Sequence, residues 1–102
     1  MKINAALQLL PLDHSGDKYS IIDKAIAIIK DSKLNYKVCP FETVVEGETE
    51  EIYALIQKLQ ESTLKNGCSE LLLNIKIHAA NKDLSFDDKL KKYPDHKIFK
   101  GA

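Results

Sequence analysis

Hydrophobic and polar positions along this chain change period several times, and each change marks an element. Residues 3–10, Ile-Asn-Ala-Ala-Leu-Gln-Leu-Leu, alternate with a period of two, as a strand with one covered face does. Ile3, Ala5, Leu7 and Leu9 point one way, and Asn4, Ala6, Gln8 and Leu10 the other. Pro11 and the polar cluster from Asp13 to Asp17 predict a loop. The period then lengthens. Ile22, Ala25, Ile26 and Ile29 recur at helical spacing, which predicts a helix over about 18–32 with Ser20 and Asp23 as its capping pair.

Leu34, Tyr36 and Val38 alternate again, Pro40-Phe41-Glu42 reads as a turn, and Thr43–Glu46 completes a hairpin ended by Gly47. Thr49 is the expected N-cap of the longest helix, with Glu50 and Glu51 at the positive end of its dipole. Ile52, Leu55, Ile56 and Leu59 form its inner stripe, and Asn66-Gly67 is its stop. Residues 70–78 are the last strand, with Leu71, Leu73, Ile75 and Ile77 on one side. Ser85 then caps a short helix over about 86–93, stopped by Pro94.

The order strand, helix, strand, strand, helix, strand, with one apolar stripe per long helix, predicts an α+β ferredoxin-like βαββαβ sandwich. Its four-stranded antiparallel sheet has the first and third strands at the centre. Both long helices should cover the face bearing Ile3, Ala5, Leu7, Leu9, Leu71, Leu73, Ile75 and Ile77. Asn4, Ala6, Gln8, Leu10, Lys37, Cys39, Leu72, Asn74, Lys76 and His78 should then lie on the open face. That mixture suits either packing against another sheet or a polar pocket. A homo-oligomer joined through it would leave Gln8, Glu46 and Asn74 lining shared cavities.

Composition narrows the function classes. The 102 residues make one domain, 1–102, with 15 basic and 15 acidic side chains and no net charge, so no bulk field draws in nucleic acid or an anionic membrane. No run of about 18 apolar residues is present, and no signal peptide is read at the start. Cys39 and Cys68 form no CxxC pair and read as reduced thiols of a cytoplasmic protein. With His14 and His96 they have no metal-ligand spacing. Lys89, Lys91, Lys92 and Lys97 alternate with Asp87, Asp88 and Asp95 as on a solvated face. The four glycines stand apart, so there is no phosphate-binding loop and no cofactor motif.

Candidate chemistry centres on Pro40-Phe41-Glu42-Thr43-Val44-Val45-Glu46-Gly47-Glu48. A carboxylate on the face of Val44 is costly to cover unless it is paired, which makes Glu46 the first candidate for a ligand contact. The plainer role for Glu46 is bonding to backbone amides near Gly47 or pairing with Lys37 or Lys76. Thr43 offers a hydroxyl, Gln8 and Asn4 offer amides able to read a ring edge, and Phe41 and Tyr36 can stack on a heteroaromatic ring or simply pack. His78 is the one acid/base candidate near a strand end, and no partner orients it in the sequence.

These residues resemble the small thiamine-binding proteins of the YkoF-like group. The likeness spans roughly residues 3–92 and is sharpest at 40–48, which is similar to the family's Pro-x-x-Thr-x-x-Glu-Gly-Glu stretch. Pro11-Leu12, Leu34-Asn35-Tyr36, Lys76-Ile77 and Lys89 add to it. One departure is His78-Ala79-Ala80-Asn81, where family members often carry an acidic residue followed by Arg. The resemblance implies a ferredoxin-like fold, homodimers or tetramers built through sheet faces, and non-enzymatic binding of thiamine or its hydroxymethylpyrimidine half. Two other readings compete with it. One is a structural or regulatory oligomer with no small ligand; the other is a small cofactor-free enzyme using His78.

Overall fold

The computed structural model describes residues 1–93, 95, 97, 98 and 101. Its elements are β1 (Lys2–His14), α1 (Lys18–Asp31), β2 (Asn35–Val38), β3 (Thr43–Glu48), α2 (Thr49–Lys65), β4 (Cys68–His78) and α3 (Phe86–Lys89). The strands form one antiparallel sheet in the order β2-β3-β1-β4. This is the ferredoxin-like arrangement expected, with β1 and β3 central.

The core follows from the period-two pattern of the central strands. Ile3, Ala5 and Leu7 of β1 and Val45 of β3 are buried beneath Ala25 and Ile29 of α1 and Ile52, Leu55 and Leu59 of α2. On α1 Ala25 and Ile29 are buried as predicted, whereas Ile21 joins them in place of Ile22 and Ile26, which are only half-buried. Tyr36 packs half-buried against the same core.

Several boundaries depart from expectation. β1 does not stop at Pro11 but runs thirteen residues to His14. Its ladder to β3 ends at Leu7, while its ladder to β4 continues with an irregularity between Pro11 and Asp13. A proline and a bulge are tolerated where a strand has one neighbour only. Asp17, rather than Ser20, caps α1 by accepting from the Tyr19 amide at 3.1 Å. Glu48, rather than Thr49, is the N-cap of α2, and its amide donates to Glu51 at 3.1 Å. Gly67 ends that helix at φ +92°, a left-handed conformation that favours glycine. β4 begins at Cys68 and not at residue 70, and α3 stops at Lys89. The predicted end of α3 at Pro94, like His96, lies outside the described residues.

Two predictions about faces need correction. Ile75 and Ile77, assigned to the helix-covered side, remain 39% and 38% exposed, on an edge strand with no neighbour beyond it. On the other face, the segment after β4 turns back across the sheet. Asp83 Oδ1 accepts from the Lys2 amide at 2.8 Å, and the Leu84 amide donates to the Lys2 carbonyl at 3.1 Å. Asn4 and Glu46 are therefore buried rather than open.

Ile52 is fully buried and Leu72 is 46% exposed. Ile52→Ala should lower unfolding free energy by about 2–5 kcal/mol, whereas Leu72→Ala should stay within about 0.5 kcal/mol, both read by urea denaturation.

Candidate functional site

The antiparallel registers align one residue from each strand in a single polar row: Asn35 on β2, Glu46 on β3, Asn4 on β1 and His78 on β4. The pleat requires this, since placing Ala5 and Val45 in the core turns their neighbours Asn4 and Glu46 to the other face. Glu46 is 6% exposed, and each of its oxygens has a partner. Oε1 accepts from Asn35 Nδ2 at 2.9 Å, and Oε2 accepts from the Phe86 backbone amide at 2.6 Å. Asn35 Oδ1 accepts in turn from the Gly101 amide at 2.9 Å. A Cβ on Gly101 would overlap the Lys33 carbonyl, so this close approach needs a glycine. One carboxylate thus ties β2, β3 and α3 together, and Asn35 extends the link to Gly101. Of the roles weighed for it, bonding to backbone is the one seen, although the amide belongs to Phe86 and not to the turn by Gly47.

Asn4, beside it, is 4% exposed, and neither amide atom has a hydrogen-bond partner. A cavity of about 210 Å³ adjoins it, floored by the small side chains of Ala6 and Val44 and walled by Lys76, His78, Phe86 and Lys89. Burial lowers the Lys89 amine below the usual lysine value, and the nearby Glu46 carboxylate opposes that shift.

A second, larger cavity of about 290 Å³ opens at the other end of the sheet, where β1 outruns β3 and the β2–β3 turn bends towards α1. Gln8, Phe41 and Thr43 line it, with Ile22, Ile26 and Leu73 among its apolar walls and Cys39 and Glu42 from the turn. Phe41 is 85% exposed at this position, Thr43 is buried, and Glu42 pairs with Lys76 at 3.5 Å. Gln8 accepts from Asn74 Nδ2 at 3.2 Å.

The six sequence-chosen residues therefore divide. Gln8, Phe41 and Thr43 meet in the turn-side cavity, Asn4 and Glu46 meet in the polar row, and Tyr36 packs on the core. Glu42 was read only as a turn residue, yet it borders the turn-side cavity while its carboxylate pairs with Lys76. Its place in the 40–48 motif was the available signal. Asn35 was also missed, because a strand-start Asn reveals nothing until register sets it against Glu46. Among the described residues, no group of three or more His, Cys, Asp or Glu can hold a metal, and no helix is long and apolar enough to cross a membrane.

A ferredoxin-like sheet with a cavity at the β2–β3 turn and another over its polar row has room for a small molecule. Comparison with known proteins agrees, and the chain belongs to the thiamine-binding protein family, whose model matches residues 5–94. It is 29% identical to a UPF0045 protein of Clostridium perfringens over 90 residues, covering 88% of this chain and 95% of that one. Among solved structures it is similar to a Bacillus cereus domain of unknown function (TM-score 0.87, 29% identity, 93% of this chain and 92% of that one). It is also similar to a Thermotoga maritima protein assigned provisionally to thiamine biosynthesis or salvage (TM-score 0.83, 27% identity, 91% and 99% covered).

Glu46→Gln places an amide donor or a weaker acceptor against the Phe86 N–H, and should cost about 1.5–3 kcal/mol of stability. Hydrogen exchange at the Phe86 amide should quicken in step. With the opposing carboxylate gone, the Lys89 amine should fall further, so its acylation, followed by mass spectrometry, should begin at lower pH than in the unmodified sequence.

Proposed function

We propose that this protein binds thiamine, or the hydroxymethylpyrimidine half of it, without transforming it, and that it works as an oligomer in a reducing cytoplasm. The observation that carries the reading is the turn-side cavity, which draws Phe41, Thr43, Gln8 and Glu42 together. Phe41 supplies a face on which a pyrimidine or thiazolium ring stacks. Thr43 and Gln8 offer a hydroxyl and an amide to ring nitrogens and the exocyclic amine. Glu42 is partly exposed and pairs with the exposed Lys76, a partner it exchanges for a cationic ring. Family membership and the Thermotoga likeness support the same ligand class. Glu46 and Asn4 lie outside this cavity's lining, and Glu46 holds β2 and α3 to the sheet.

Self-association is supported by β4, a sheet edge whose Leu72, Ile75 and Ile77 are all more than a third exposed. Zero net charge offers little repulsion between copies. Light scattering at micromolar concentration should return twice or four times the chain mass, and a monomer there would remove this part of the reading.

A thermal-shift titration tests the ligand. Thiamine or hydroxymethylpyrimidine at about 100 times its dissociation constant should add about 2.7 kcal/mol to the folded state. Phe41→Ala, at an exposed position, should weaken binding several-fold to about tenfold. The absence of a shift with either compound would overturn the assignment.

A further inference from the structure

We propose that Lys76 sets the charge preference of the turn-side cavity: its ammonium keeps the Glu42 carboxylate beside a neutral ring and yields it to a cationic one. This rests on the ligand reading above and adds to it a residue that does not itself line the cavity. The starting point is the lining. Among the described residues, Glu42 is the one charged side chain bordering the cavity, and the rest are apolar apart from Gln8, Thr43 and Cys39. Whatever holds that single carboxylate therefore controls how the cavity responds to charge.

Register explains how a residue of β4 reaches the β2–β3 turn. Lys76 on β4 and Val44 on β3 both stand opposite Ala6 on β1, and Glu42 precedes Val44 by two residues. Ala6, with a single methyl group, leaves room for the lysine and glutamate side chains to meet above β1. Lys76 Nζ comes to 3.5 Å from Glu42 Oε1. The two partners are unequal. The Lys76 side chain is 79% exposed and the Glu42 side chain 30%, so the ammonium has water to return to, while the carboxylate stays at the cavity border. An ion pair this exposed adds little to stability, and a flexible lysine stem leaves it without disturbing the sheet. A bound cation and the ammonium repel each other around one carboxylate. Lys76 thus competes with a cationic ligand and is indifferent to a neutral one. Thiamine carries a fixed positive charge on its thiazolium ring, and hydroxymethylpyrimidine is neutral at mildly alkaline pH. Glu42 favours the first of these compounds, and Lys76 tempers that preference.

The test titrates thiamine and hydroxymethylpyrimidine into the full chain by calorimetry at mildly alkaline pH and constant ionic strength. Lys76→Gln should tighten thiamine about threefold to fivefold and leave hydroxymethylpyrimidine within about twofold. Glu42→Gln should weaken thiamine at least about threefold more than hydroxymethylpyrimidine, and in that background Lys76→Gln should lose its effect. Lys37, which stands opposite Val44 from β2, provides the control. Lys37→Gln removes the same charge without breaking the pair, and should leave both affinities within about twofold. Three results would overturn the proposal and leave the ligand reading standing: an unchanged ratio of the two affinities in Lys76→Gln, an equal gain in Lys37→Gln, or a Lys76→Gln effect that persists without Glu42. Binding of neither compound by the unmodified chain would overturn both.

Discussion

A central strand has to serve two neighbours and two faces at once, and β1 does so under the fixed two-residue period of the pleat. Once Ile3, Ala5 and Leu7 go under the helices, there is no freedom left in where Asn4, Ala6 and Gln8 point. The register with β3 and β4 then sets Asn4 between Glu46 and His78, and Ala6 between Val44 and Lys76. A one-residue slip would turn the core side chains out to solvent. The polar row is thus held in place by the hydrophobic core on the reverse side of the sheet.

Glu46 shows what that placement demands. A carboxylate at the sheet centre is stable under cover only if its oxygens are bonded. Here Asn35 and the Phe86 amide provide the bonds. The same contacts decide where α3 lies, and α3 in turn shapes the cavity over Asn4. A four-residue helix is too short to be stable alone, so its position depends on Glu46 and on the links from Lys2 to Asp83 and Leu84. The residue that first suggested a ligand contact is, in the folded chain, the anchor of the covering segment.

Unequal strand lengths account for the turn-side cavity. β1 has thirteen residues, whereas its ladder to β3 ends at Leu7. Beyond that point Gln8 and its neighbours border the β2–β3 turn rather than another strand. The turn supplies an exposed ring and a carboxylate, and α1 supplies Ile22 and Ile26, which the core does not fully bury. The two cavities differ in chemistry accordingly: the first is apolar with one acid, and the second is small-floored with basic walls.

Hydrophobic periodicity alone determined the order of elements, the ferredoxin-like topology and most of the core, because burial of one face is a local and repetitive demand on a sequence. It chose Ile22 and Ile26 over Ile21 on α1, and it ended β1 at Pro11, since a proline reads as a stop unless the strand is known to have lost a neighbour there. Residue types also singled out Glu46, Asn4, Gln8, Thr43 and Phe41 as chemically capable. Only the tertiary structure decided how they group, because cross-strand register and the path of the chain after β4 depend on contacts between residues far apart in sequence. Asn35 meets Glu46 eleven positions away, and Phe86 meets it at forty. No short-range pattern encodes either contact, so the pairing of Glu46 and the unpaired amide of Asn4 become visible only once the sheet is assembled.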